Sequence, residues 1–144
     1  MTAVRDILKE KGCQVHHISP EASVLDALKV MAEYNIGALL VLDGDQLVGI
    51  VSERDYARKI VLKGRSSLAT PVREIMSSSV VCARTDQSVE ECLAVMTARA
   101  VRHLPVLEHK RVVGLVSIGD LVKSIIAAQS FTIEQLEHYI HGER

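Results

Sequence analysis

The chain has no tryptophan, one phenylalanine and three tyrosines among its 144 residues. Its core must therefore be built from Val, Leu, Ile, Met and Ala, which dominate a hydrophobic content of 48%. Phe131, Tyr34, Tyr56 and Tyr139 are the only rings available to stack bases, which argues against single-stranded nucleic-acid binding. Neither sign of charge is in excess, with 17 basic and 18 acidic residues. General nucleic-acid binding calls for a basic face or stripe. The cysteines, Cys13, Cys82 and Cys92, are odd in number and show no Cys-x-x-Cys spacing. That pattern fits neither a disulfide framework nor a zinc knuckle. It reads as reduced, mostly buried thiols. No run approaches the roughly 18 apolar residues of a membrane helix, and the first residues lack the apolar stretch of a secretory leader. A cytoplasmic protein is expected, either one ordinary domain or two small halves sharing a core, burying about 68–70% of its unfolded surface.

What is present is a duplication. A shift of 65 residues lays 23–62 on 88–127 without a gap and gives 14 identical pairs, among them Leu28/Leu93, Met31/Met96, Gly49/Gly114, Ser52/Ser117 and Asp55/Asp120. Chance gives roughly 2 or 3. A second echo leads each copy, Val4-Arg5-Asp6-Ile7-Leu8 against Val72-Arg73-Glu74-Ile75-Met76. Duplicated units usually pack about a pseudo-twofold axis, with clefts between them.

Each copy spells the same elements. Ser23 and Ser88 suit N-caps, with Asp26 and Glu91 three residues on. Apolar residues follow at helical spacing. A short apolar run, Ala38-Leu39-Leu40-Val41-Leu42 or Leu104-Pro105-Val106-Leu107, predicts a strand buried on both faces. A polar turn and a second strand, 47–51 or 112–116, complete an antiparallel hairpin. Extended pieces at 14–18 and 79–83 precede the helices. The expected fold is α+β: two β-α-β-β-α repeats, at 4–62 and 72–127, related by a pseudo-twofold axis. Residues 63–71, with Gly64, Ser66, Ser67 and Pro71, form a linker. Residues 128–144 form a helical extension, with Thr132-Ile133-Glu134-Gln135 as the capping box of a separate tail helix.

The chemistry sits in a phrase written twice, Gly49-x-x-Ser52-x-x-Asp55 and Gly114-x-x-Ser117-x-x-Asp120. Each serine ends a strand and opens a helix, whose first N–H groups lack internal partners and whose dipole favours an anion. The hydroxyl can donate to a phosphate oxygen. An aspartate one turn on can accept both hydroxyls of a ribose. Glycine inside a strand often marks a close backbone approach. The same Ser-x-x-Asp spacing is also a plain capping box. Arg102-His103 enters the second hairpin as a cationic pair able to grip phosphate. Gly37-Ala38 stands there in the first copy, so one cleft carries a built-in clamp and the other lacks it unless Arg54 substitutes.

These residues, in this order, resemble a tandem pair of cystathionine-beta-synthase (CBS) domains, a Bateman module, over roughly residues 4–127. The resemblance implies a non-catalytic sensor that binds AMP, ADP, ATP, NAD(H) or S-adenosylmethionine between its repeats, without a metal. Asp55 and Asp120 would hold ribose hydroxyls, and Ser52 and Ser117 would meet phosphate beside Arg102 and His103. The adenine slot would lie near His16, Ile36, Gly37 and Ala38 for the Asp120 site, and near Val81, Cys82 and Val101 for the Asp55 site. The departure at Gly37-Ala38 argues against tight phosphate binding at Asp55, which is expected to take a different or weaker ligand. The family usually forms a homodimeric disc of four repeats, a role that Ile60-Val61-Leu62, Leu121-Val122 and Ile125-Ile126 fit, and signals to a regulated protein. Three rivals stand beside this reading. One is an enzyme using Cys13 with His16 or His17, although adjacent strand residues face opposite ways. Another is a metal protein using His16-His17 or His138 and His141, which lacks further ligands at sensible spacing. The third is a dimerisation module whose aspartates only cap helices.

Overall fold

Ser23 and Ser88 begin the helix that precedes each hairpin, each hydroxyl accepting the N–H three residues on, from Asp26 and Glu91, at 3.0 Å. Both helices stop where one residue turns left-handed, Asn35 at φ 52° and Ala100 at φ 53°. The computed structural model describes residues 2–12 and 14–140, excepting the side chains of 130–134 and 137–140. The chain runs α1 (Val4–Lys11), β1 (His17–Ile18), α2 (Val24–Tyr34), β2 (Ala38–Asp43), β3 (Gln46–Ser52) and α3 (Glu53–Tyr56). A π turn (Ala57–Val61) and a 3₁₀ turn (Val72–Glu74) follow. Then come β4 (Ala83–Arg84), α4 (Val89–Arg99), β5 (His103–Glu108), β6 (Arg111–Ser117) and α5 (Ile118–Ile140).

The strands form two three-stranded sheets, β1-β2-β3 and β4-β5-β6. In each, the lead strand is parallel to the middle one and the hairpin is antiparallel. The hairpins even share an irregularity, a register shift at Val41/Leu42 and at Val106/Leu107. Two expectations need adjustment. The lead strands are shorter than 14–18 and 79–83, because pairing is confined to His17 and Ile18 against Leu40 and Val41, and to Ala83 and Arg84 against Val106 and Leu107. The tail is not a separate helix: α5 continues unbroken through Ile140. No glycine or proline lies between Gly119 and Gly142 to stop it. The expected capping box falls inside this helix, and the side chains of Thr132, Ile133 and Glu134 lie outside the described set.

The packing units are not the sequence repeats. Val4, Ile7 and Leu8 of α1 are buried with Val89, Cys92, Met96, Leu104, Val106 and Leu121 of the second repeat. Val72 and Ile75 are buried with Val24, Met31, Leu39, Val41 and Val51 of the first. Each sheet is thus closed by a segment that precedes the other repeat's helix-hairpin unit. Paired bridges mark the exchange, Ala3 with Ser88 and Pro71 with Ser23.

The repeated glycines permit this closure. A Cβ placed on Gly114 would lie 2.5 Å from Leu8 Cδ2. One placed on Gly49 would lie 2.6 Å from Met76 Sδ and 2.9 Å from the Ser77 carbonyl oxygen. A leucine methyl can rotate aside, whereas a bridged carbonyl cannot. Gly49→Ala is therefore expected to cost about 1–3 kcal/mol by overpacking, and more than Gly114→Ala. Urea denaturation midpoints measure the order, and an equal or reversed order contradicts this account.

Candidate functional site

A cavity of about 490 Å³ opens between the repeats, beside the end of β3. Its walls come from both copies. The first supplies Gly37, Ile50, Ser52, Glu53, Arg54, Asp55 and Arg58. The second supplies Ala100, Val101, Arg102 and His103, and its lead segment adds Ser77, Ser79, Val80 and Val81. Three arginines and two acidic residues thus line it together with an apolar strip of Val80, Val81 and Val101. Arg102 is positioned by its own backbone, whose carbonyl accepts the Ile118 N–H at 2.9 Å. The equivalent bond in the first copy joins the Glu53 N–H to the Gly37 carbonyl at 3.0 Å.

The repeated aspartates each close a capping box. Asp55 Oδ2 accepts from the Ser52 N–H at 2.9 Å and from its hydroxyl at 3.1 Å. Its Oδ1 meets Lys59 Nζ at 3.1 Å. Lys59 also donates to the Ile75 carbonyl at 2.8 Å and is not among the cavity's lining residues. Asp120 Oδ2 accepts from the Ser117 N–H at 2.8 Å and from Lys11 Nζ at 2.6 Å. Lys11 comes from α1, 109 residues away, and donates as well to the Leu115 carbonyl at 2.7 Å. Burial pushes the Asp120 carboxyl up, but the Lys11 ammonium and the Ser117 amide outweigh it and hold it below its ordinary value.

Eight expected site residues, Gly37, Ser52, Arg54, Asp55, Val81, Val101, Arg102 and His103, share the large cavity. The cationic pair therefore reaches the Asp55 cleft, the one expected to lack it. The reason is that the wall facing Asp55 belongs to the opposite repeat. Cys82 points elsewhere, into a second cavity of about 300 Å³ with Asp45, Leu47 and Lys110. It neighbours Val81 on an extended segment, where successive side chains face opposite ways. Burial raises its thiol pKa. Ala38 is buried against Ser52 in the hairpin, Ile36 packs on the first core, and His16 stacks on Tyr34 at 3.9 Å between ring centroids. Ser117 and Asp120 line neither cavity. Arg58 was overlooked, although its spacing of four from Arg54 places both on one helical face. Lys11 had no signal in the sequence. Cys13 and His141 lie outside the described residues, as does the His138 side chain. Among the described residues no cluster of three or more His, Cys, Asp or Glu is placed to hold a metal, and no helix is long and apolar enough to cross a membrane.

His103 stands between the clefts. Burial lowers its pKa most, Lys11 and Arg102 lower it further, and Asp120 offsets only part. The unfolded chain thus binds a proton that the folded one resists. The stability held by neutral His103 is complete above the ordinary imidazole value of about 6.5 and is lost as pH falls from there through the depressed folded value. His103→Gln should flatten that part of the stability curve between pH 7 and 5. Urea midpoints across the range measure it, and an unchanged slope contradicts the assignment.

The family profile for the CBS domain matches the chain twice, at residues 4–62 and 72–127. The mitochondrial CBS domain-containing protein CBSX3 of Arabidopsis thaliana is 36% identical over 150 residues, covering 98% of this chain and 73% of the relative. A solved protein with CBS domains from Burkholderia ambifaria superposes with a TM-score of 0.86 at 53% identity, over 89% of this chain and 96% of that one. The CBS domain pair of protein MJ0100, solved in complex with 5′-methylthioadenosine and S-adenosyl-L-methionine, gives a TM-score of 0.76 at 26% identity, over 89% and 98%. Two exchanged lead segments, two hairpins and two Gly-x-x-Ser-x-x-Asp endings are thus one shared architecture, and this chain belongs to the CBS-domain family as a tandem pair of CBS repeats.

Proposed function

We propose that the chain is a non-catalytic sensor that binds an adenosine nucleotide in the Asp55 cleft and reports it to a partner protein. The carrying observation is the convergence of Arg54, Arg58 and Arg102 from both repeats around one cavity beside Asp55. Arginine grips phosphate through paired, charge-assisted hydrogen bonds. A carboxylate one helical turn away suits ribose hydroxyls, and Val80, Val81 and Val101 suit a purine face. The adenosine compounds in the MJ0100 complex support the ligand class. The guanidinium groups favour AMP, ADP, ATP or NAD(H) over the sulfonium of S-adenosylmethionine. A ligand touching both repeats biases their relative placement if it binds one arrangement better, with typical coupling of about 1–3 kcal/mol.

We also propose a homodimer. Ile118, Val122 and Ile126 repeat every fourth residue along α5 and are exposed, as are Val61 and Leu62. Such a stripe seeks a partner. Ile60 and Leu121, expected on this face, are buried in the cores instead. Ile126→Glu is expected to halve the sedimenting mass; an unchanged mass removes α5 from the interface.

A structural reading competes, because both aspartates already close capping boxes. Stability cannot separate the two, since losing a cap costs about 1 kcal/mol either way. Calorimetric titration can. With AMP, ADP, ATP, NAD and S-adenosylmethionine as the panel, an anionic member is expected to bind without turnover. Arg102→Ala and Asp55→Ala should each weaken it roughly tenfold or more, as for a charged hydrogen bond of about 1.5–3 kcal/mol. Heats absent across the whole panel would leave the structural reading.

A further inference from the structure

The wall of the Asp55 cleft carries one charge that phosphate binding does not call for. Arg54, Arg58 and Arg102 line it, and so do Asp55 and Glu53. The two acids are not alike. Both Asp55 oxygens are engaged, Oδ2 by the Ser52 N–H and hydroxyl and Oδ1 by Lys59 at 3.1 Å. Among the described residues the Glu53 carboxylate has neither a hydrogen bond nor an ion pair, and the three guanidinium groups have none either. The backbone fixes Glu53 in this place. Its N–H donates to the Gly37 carbonyl at 3.0 Å, and a Cβ built on Gly37 would lie 3.0 Å from Glu53 Oε1. The carboxylate therefore lies over a residue with no side chain. In the second repeat the same two positions hold Arg102 and Ile118, joined by the equivalent bond. A cation and an apolar group stand there, where the first repeat has a bare position and an acid.

Charge decides what such a wall can take. Lys59 answers the Asp55 charge from outside the wall. Burial disfavours the charged form of His103. Three guanidinium groups against one unanswered carboxylate leave a balance of two positive charges. A phosphomonoester such as AMP carries about two negative charges near neutral pH, and each further phosphate adds about one. AMP therefore matches the wall. ATP brings about two more charges, which meet no further cation on the wall and are repelled by Glu53. Like charges brought together act mainly against the wrong partner, which is how specificity is made. We infer that Glu53 is a specificity-determining residue of the Asp55 cleft: its carboxylate repels the added phosphates of ADP and ATP and so selects the nucleoside monophosphate. This rests on the sensor reading above and names the ligand class within it. Glu53 is exposed, so water and salt screen the effect, and its size is about fivefold.

The experiment is calorimetric titration of the full chain with AMP and with ATP, in EDTA at low salt and near neutral pH. Wild type is expected to bind AMP more tightly than ATP. Glu53→Gln is expected to tighten ATP about fivefold and AMP less, so the ratio narrows, whereas Glu53→Asp should keep the wild-type preference. A loosened fold would weaken both ligands together, so the ratio reports the charge and not the packing. Circular dichroism melts confirm that each variant is folded. An unchanged ratio in Glu53→Gln, or wild type binding ATP at least as tightly as AMP, overturns the inference and leaves the sensor reading intact. Loss of AMP binding in Glu53→Gln also overturns it, because the carboxylate would then be accepting from the ligand. Heats absent with both nucleotides, in wild type and Glu53→Gln alike, overturn the inference, and if NAD and S-adenosylmethionine fail as well the sensor reading falls with it.

Discussion

Neither sheet in this protein is covered by its own repeat alone. Each hairpin buries one face under a segment that precedes the other copy's helix, α1 on the second sheet and residues 72–76 on the first. That exchange depends on two strand positions with no side chain. Leu8 lies against Gly114, and Met76 and Ser77 lie against Gly49, at distances where a methyl group would collide. The free energy of closure is ordinary apolar burial, a few kcal/mol for each fully buried aliphatic side chain at most. What the glycines add is geometry: they bring the connecting chain down onto the strand ends. The clefts exist because that chain, on its way to the opposite core, passes beside the serine-aspartate helix start.

From this follows the mixed origin of the site. A cavity lined by one repeat alone would face Asp55 with its own Gly37. Because the axis brings β5 alongside, Asp55 faces Arg102 and His103 instead. Three guanidinium groups held in a concave, partly apolar site interact more strongly with an anion than the same groups spread over a surface, since fewer waters screen them. The chain's overall charge of −1 says nothing of this local field.

The local parts of this architecture were legible in the sequence, and the reasons are physical. Caps at Ser23 and Ser88 are short-range chemistry, spelled by residues three apart. The hairpins follow from apolar runs around brief turns, and duplication doubles every signal. The glycines were readable as points of close approach, though not what approaches them. Connections between distant residues were not legible. Cys82 was set beside Val81 in one slot, yet the alternation of an extended chain sends it to another cavity. The cationic deficit was assigned to the Asp55 cleft because Arg102-His103 aligns with Gly37-Ala38; alignment by repeat is blind to which walls meet across the axis. The contact of Lys11 with Asp120 spans 109 residues and depends on the length of α1, which no pattern near Asp120 encodes.

Length of the lead helix therefore breaks the symmetry of the pair at one carbonyl. One extra turn or so of helix places an ammonium where the other repeat places a backbone bridge. Both satisfy the same carbonyl, of Leu115 or of Ile50. They do not differ in leaving a counter-ion beside the aspartate, since Lys59 meets Asp55 as Lys11 meets Asp120. The difference is that Asp55 lines a cavity shared with three arginines, and Asp120 lines neither cavity. Two strand ends made from one repeated phrase thereby acquire different surroundings without any change in the phrase itself, because the walls come from the rest of each copy and from the opposite repeat.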